Sequence, residues 1–120
     1  MAQAFQDLTV WQRAMQMTVT IYRLTRAFPQ DEIYGLTSQL RRASVSVASN
    51  IAEGRGRLSE GEFRHFLGIA QGSTYEVQTQ LLVAKQLGLG DQAMLAKAEG
   101  ECIEASKMLG ALIQSLGAKS

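Results

Sequence analysis

The sequence is poor in residues that break helices, cross-link a chain or bind metals. Its 120 residues include one proline, one cysteine and one histidine. Because Cys102 is alone, an internal disulfide is impossible and we expect a reducing compartment. A single proline and the lack of alternating β-branched runs argue against a sheet protein. The sequence therefore predicts an all-α chain.

Charge of either sign is also scarce. The chain has 12 Lys and Arg against 11 Asp and Glu, a net charge of +1, so composition predicts no strong attraction to nucleic acid or to an anionic membrane. A hydrophobic content of 46% argues against disorder. No apolar run approaches the about 18 residues of a membrane span, and the N-terminus lacks the pattern of a signal peptide. We expect one cytoplasmic domain over residues 1–120.

Apolar residues that recur at intervals of three and four predict four helices. The first is expected from an Asp7 cap to just before Pro29, and the second over about 35–54. A Ser59–Glu62 capping box begins the third, and Asp91 caps the fourth. Short connections reverse each helix, which predicts an antiparallel up-down-up-down four-helix bundle. The buried face of the first helix is expected to carry Leu8, Trp11, Met15, Thr18, Tyr22 and Thr25, with Ala14, Ile21 and Phe28 widening the stripe.

The second helix has an apolar surface on two sides. One stripe holds Leu36, Leu40, Ala43, Val47 and Ile51, and the other holds Arg41, Val45, Ala48, Ala52 and Arg55. A helix that is apolar on two sides is normally buried on two sides, and in a short chain the second cover is expected from another subunit. Gly68 and Gly72 of the third helix predict a close helix contact, with two tolerated surface glycines as the alternative. The expected oligomer interface is Val45, Ala48 and Ala52, or Gly68 and Gly72.

Catalytic and metal-binding sets are incomplete, so we expect no enzyme activity, no cofactor and no small-molecule substrate. Glu62 and His65 form one Glu-x-x-His, whereas a di-iron bundle needs two such motifs and two more carboxylates. The arginine that helical HEPN ribonucleases place shortly before their histidine is missing here. Cys102 lies on a core stripe and is expected to act as a small hydrophobic residue. An intersubunit site is the remaining route to an enzyme.

Arginines are the remaining functional candidates. Arg42, Ser46, Asn50 and Glu53 are spaced to form a polar ladder along the second helix, with Glu53 or Glu76 neutralising Arg42. Nothing nearby in sequence pairs the arginines of the glycine-rich loop, which leaves phosphate contact and ordinary solvation as equal alternatives. The candidate nucleic-acid-binding residues are Arg41, Arg55, Arg57 and Arg64.

Several segments resemble the four-helix-bundle proteins encoded in intervening sequences of bacterial 23S rRNA genes. The most specific element is NIAEG at 50–54, following RRA at 41–43. The resemblance extends through FQDLTVWQRA at 5–14, IYRLTRAFP at 21–29, YGLTSQLRRASVSVASNIAEGRGR at 34–57, EFRHFL at 62–67 and IAQGSTYEVQTQL at 69–81.

This resemblance implies a homopentameric ring without catalytic activity. Relatives act as accessory proteins of diversity-generating retroelements, where they partner a reverse transcriptase and its RNA, but those relatives are more basic than this chain. Two main functions stay open: a non-enzymatic scaffold or adaptor, and an RNA- or DNA-binding ring that uses its arginine-rich surface.

Overall fold

The computed structural model describes residues 4–117, which form four α-helices and no strand. Helix α1 spans Thr9–Thr25, α2 spans Leu36–Arg55, α3 spans Glu60–Leu87 and α4 spans Gln92–Gly117. Short 3-10 turns occupy Phe5–Asp7 and Gln30–Glu32. The predicted all-α bundle is confirmed.

Two of the three predicted helix caps are present. The Ser59 hydroxyl accepts a hydrogen bond from the Glu62 amide at 3.1 Å, and an Asp91 carboxylate oxygen accepts one from the Met94 amide at 2.8 Å. The predicted Asp7 cap is wrong, because Asp7 lies in the preceding 3-10 turn and Leu8 occupies the cap position of α1 without a side-chain bond.

Bonds between helices give their order and direction. Ser46 of α2 bonds Ser73 of α3, while Gly54 lies against Phe66, so these two helices run antiparallel. Arg64 of α3 reaches Ile113 of α4, and Cys102 reaches Thr74, which gives the same reversal for the next pair. Helix α1 packs on α2 and α4, and α3 packs on the same two helices. The bundle measures 46 × 20 × 19 Å.

The core lies along the bundle axis, and all four helices contribute to it. The first apolar stripe of α2 is buried as predicted. Most of the predicted face of α1 is turned inward, since Ala14, Thr18, Ile21, Thr25 and Phe28 are buried, but Met15 and Tyr22 are 39% and 40% exposed. The buried face is rotated towards Val10, Met17 and Leu24, which the predicted stripe omitted.

Gly54 marks a close approach between α2 and α3. A Cβ atom at this position would lie 2.7 Å from Phe66 Cβ and 3.1 Å from a Phe63 ring carbon. Helix α2 continues through Gly54 to Arg55 and ends with Gly56 at the C-cap position, so Gly54 serves to make room for α3.

None of the helices in the described part of the chain is long and apolar enough to cross a membrane.

Candidate functional site

Arg41 joins α2 to α1. Its Nε donates a hydrogen bond to Thr25 Oγ1 at 2.9 Å, and its guanidinium carbon lies 4.7 Å from the centre of the Tyr22 ring. A cation over an aromatic face is attracted by the ring's charge distribution. This predicted nucleic-acid contact therefore has a structural role between the first two helices.

Arg55 and Arg57 cover aromatic rings at the start of α3. The guanidinium carbon of Arg57 lies 4.7 Å from the Phe66 ring centre, and that of Arg55 lies 5.6 Å from the Phe63 ring centre. Arg57 Nε also lies 3.8 Å from a Glu53 carboxylate oxygen. The expectation that nothing pairs these arginines is wrong, because their partners sit on the next helix or one turn back.

Arg64 stabilises the end of α4. Its Nε donates to the Ile113 carbonyl oxygen at 3.1 Å, and its guanidinium group lies beside Gly117 at the helix end. The C-terminal end of a helix carries partial negative charge, so a cation there is favourable. Arg64 is thus held within its own chain.

The polar ladder of α2 is only partly formed. Asn50 Nδ2 donates to Ser46 O at 2.8 Å and to Ser46 Oγ at 3.0 Å, and Ser46 Oγ lies 2.9 Å from Ser73 Oγ. Glu53 pairs with Arg57 instead of Arg42. Arg42 is exposed in a groove that Glu76 also lines, without an ion pair to either acid within 4.0 Å. The ladder is therefore a short link between α2 and α3.

The five residues predicted for an oligomer interface have different environments. Val45 is 41% exposed and Ala52 is half-buried, but Ala48 is already buried in the core of its own chain. Gly68 and Gly72 are exposed, and a Cβ atom at either one would meet nothing within 4 Å. Within one described chain no other helix approaches these glycines, so the predicted close helix contact would have to come from another subunit.

Sequence reasoning missed the α1 part of an exposed apolar surface that continues onto α2. Met15, Val19 and Tyr22 follow one another on the outer side of α1 at 39–43% exposure. Arg41, which contacts Tyr22, precedes Val45 by one turn of α2, so Val45 continues the same surface. We call the surface formed by Met15, Val19, Tyr22, Val45 and Ala52 the α1–α2 face.

The side chains with nucleophilic or metal-binding chemistry lie apart from one another. Cys102 donates to the Thr74 carbonyl oxygen at 3.3 Å, and burial raises the pKa of its thiol to about 12, in agreement with a hydrophobic role. Within residues 4–117, no group of three His, Cys, Asp or Glu side chains is placed to hold a metal ion. His65 packs edge-on against Phe66.

A depression of about 640 Å³ lies between the start of α3 and the end of α4. Arg64 and His65 border it, and Ile69, Ile113 and Leu116 contribute apolar surface. Its two basic side chains already contact Ile113 and Phe66, so the groove offers mainly an apolar surface.

Comparison with known proteins gives a family and a fold. A family model described as 23S rRNA-intervening sequence protein matches residues 6–111. The fold is similar to a protein of unknown function from the S23 ribosomal protein family of Bacteroides thetaiotaomicron VPI-5482. That structure has a TM-score of 0.78 and 19% identity, over 88% of this chain and 98% of the other. No curated protein matches.

Proposed function

This chain belongs to the 23S rRNA-intervening sequence protein family, and we propose that it is a non-enzymatic, homo-oligomeric scaffold or adaptor. The observation that carries the proposal is the α1–α2 face. Its four large apolar side chains are each 39–43% exposed, although the core beneath them is complete. Contiguous exposed apolar surface is typical of a protein contact.

The chemistry of the described side chains supports a non-enzymatic role. Cys102 is buried and its raised pKa keeps it a neutral thiol, which is a poor nucleophile. The arginines predicted as functional residues are engaged with neighbouring helices through Thr25, Phe63, Phe66 and Ile113. A pentamer is the expected assembly from the family resemblance.

Light scattering of the purified protein tests the proposed assembly. We expect a mass that is a multiple of the 13.1 kDa of one chain, five times that mass for a pentamer, maintained at micromolar concentration. A mass of one chain at that concentration would contradict the proposal.

A second candidate is an RNA- or DNA-binding ring, which the distribution of arginine favours. Residues 8–30 and 36–52 contain five arginines and no acidic residue. A ring would repeat this surface around its axis and raise avidity without new contacts in each copy. A reverse transcriptase with its RNA is the partner that the resemblance suggests.

Filter binding across a salt series tests this second candidate. Phosphate contacts release counterions, so retention of RNA should fall steeply as salt rises and depend little on sequence. Replacing Arg55 and Arg57 together by alanine should weaken retention if these arginines reach phosphates from their positions over Phe63 and Phe66. Absence of retention at low salt would remove this candidate and leave the scaffold.

A further inference from the structure

We propose that the groove between α2 and α3 binds a small zwitterion, namely a free amino acid with a polar side chain. The groove has a volume of about 370 Å³, and the residues that line it are Gln39, Arg42, Ala43, Ser46, Glu76 and Gln80. That volume lies at the lower end of the range of about 300–1,000 Å³ for small-molecule sites, which limits the ligand to a small metabolite. The inference concerns a surface that the proposed scaffold function leaves unused.

A hydrogen bond between α2 and α3 sets which residues face each other across the groove. Ser46 Oγ lies 2.9 Å from Ser73 Oγ, and the two helices run antiparallel. Arg42 precedes Ser46 by one turn of α2, and Glu76 follows Ser73 by one turn of α3, so Arg42 and Glu76 lie at the same level of the bundle. The groove therefore has a basic side chain on its α2 side and an acidic one on its α3 side.

Arg42 and Glu76 carry opposite charges in this groove without pairing. Both side chains are exposed, and neither forms an ion pair within 4.0 Å in the described part of the chain. A guanidinium group binds a carboxylate through two parallel hydrogen bonds, and a carboxylate accepts from an ammonium group. A ligand with a single charge would be attracted by one of these side chains and repelled by the other. A ligand that has both a carboxylate and an ammonium group is attracted by both.

Gln80 indicates that the side chain of the ligand is polar. The Oε1 atom of Gln80 is buried, and no donor among the described residues reaches it. A buried acceptor without a donor is unfavourable, so an N–H or O–H group of a ligand would gain a hydrogen bond there. Ala43 is the only apolar residue among the described side chains that line the groove, which leaves little surface for an aliphatic or aromatic ligand. These features favour an amide or hydroxyl side chain.

Titration with L-glutamine, followed by the amide shifts of the protein in NMR spectra, tests the proposal. L-Glutamine has the carboxylate, the ammonium group and an amide that can donate to Gln80, and L-asparagine and L-serine have the same charged groups on shorter side chains. We expect the shifts to be concentrated around Arg42, Glu76 and Gln80. The decarboxylated and the deaminated analogues of glutamine each lack one charge, so each should bind at least about tenfold more weakly.

Two variants that remove a charge assign the binding to the groove. Arg42→Gln removes the partner of the ligand's carboxylate, and Glu76→Gln removes the partner of its ammonium group. Both positions are exposed, so we expect native melting curves, and each variant should bind the amino acid at least about tenfold more weakly. Arg26→Gln is the matched control, because Arg26 is exposed, forms no ion pair in the described chain and lies outside the groove. This control should bind like the wild type.

Weaker binding by both variants and of both analogues, with Arg26→Gln unchanged, would support the zwitterion site. Equal binding of an analogue that lacks one charge would overturn the recognition of a zwitterion. Undiminished binding by Arg42→Gln or Glu76→Gln, or the absence of shifts with all three amino acids at millimolar concentration, would overturn the site.

A direct ion pair between Arg42 and Glu76 is the alternative use of these side chains. In that case Arg42→Gln and Glu76→Gln would each lower the melting temperature, and the double variant would lower it no further than one of them. That result would overturn the inference, because the two charges would then satisfy each other. The scaffold proposal is tested separately by the mass in light scattering, so it stands whichever result is found here.

Discussion

Gly54 shows how a single residue sets the distance between two helices. Any side chain at this position meets Phe66 Cβ at 2.7 Å, a distance that requires the backbones to move apart. The same glycine brings Phe63 and Phe66 within reach of Arg55 and Arg57. One missing Cβ atom therefore allows the aromatic and basic contacts at this end of the bundle.

Gly54→Ala should destabilise the protein by about 1–3 kcal/mol, the usual cost of overpacking. Gly100→Ala is the matched control, because a Cβ atom there meets nothing within 4 Å, and it should stabilise α4 by up to about 1 kcal/mol. Urea unfolding measures both changes. Equal effects at the two positions would show that α2 and α3 are not in close contact at Gly54.

Arg41 and Arg42 are neighbours in sequence with different roles. Arg41→Ala removes the hydrogen bond to Thr25 and the contact with Tyr22, so we expect a loss of about 1 kcal/mol in unfolding free energy. Arg42→Ala removes a side chain without an ion pair in the described chain and should change stability by less than about 0.5 kcal/mol. Thermal melting of the two variants separates them, and a larger loss for Arg42→Ala would contradict these assignments.

Cys102 should be unreactive in the folded protein. Its pKa is raised to about 12 because burial disfavours the thiolate. The folded state therefore keeps the thiol protonated at a pH where the unfolded chain, with an ordinary thiol pKa of 9.0, begins to lose its proton. The resulting stabilisation is complete below pH 9 and is lost as the pH rises towards 12. Labelling with a thiol reagent should require unfolding. Between about pH 9 and 12, the unfolding free energy of Cys102→Ala should fall less than that of the wild type. Rapid labelling of native protein at neutral pH would show that the thiol is accessible.

Helix α1 illustrates which parts of an element the sequence predicts. Its existence follows from spacing alone, but two apolar series run along it, one through Met15 and Tyr22 and the other through Met17 and Leu24. The first series has the bulkier aromatic groups and was assigned to the core, whereas the second is buried. The intervals between Val10, Ala14, Met17, Ile21 and Leu24 carried the correct register. Small Ala14 marks the side where the neighbouring helices approach.

Contacts between elements were less predictable than the elements. The Ser59 and Asp91 caps follow from local sequence because the bonded groups lie three residues apart. The partners of Arg41 and Arg64 lie 16 and 49 residues away, so only the packed bundle brings them together. The intramolecular partners of the candidate arginines therefore depend on tertiary structure.

Two methionines two residues apart test the register of α1. Met17 is fully buried, and Met17→Ala should cost about 2–5 kcal/mol through lost burial and a cavity. Met15→Ala, at 39% exposure, should leave the stability of a single chain within about 1 kcal/mol of the wild type. Urea unfolding of both variants in the background of Val45→Arg, which places a charge on the α1–α2 face, excludes effects of assembly. The reverse order of the two losses would place Met15 in the core, as the sequence predicted.

At the scale of the whole molecule, the bundle combines a complete core with an uneven outer surface. Residues 8–30 and 36–52, which include α1 and most of α2, hold five arginines and no acid, whereas residues 60–117 hold seven acids. A net charge of +1 conceals this division, which is why composition alone indicated little about partners. The exposed α1–α2 face favours assembly with another copy.

Oxidation footprinting of Met15 tests this account most directly. Met15 is 39% exposed in one chain, so burial of the α1–α2 face in the assembly should protect it from peroxide. The account predicts slow oxidation of Met15 in the wild type and fast oxidation in Val45→Arg, with Met17 slow in both because it is fully buried. Equally fast oxidation of Met15 in the two proteins would show that the face is open in the native state, and would contradict the account.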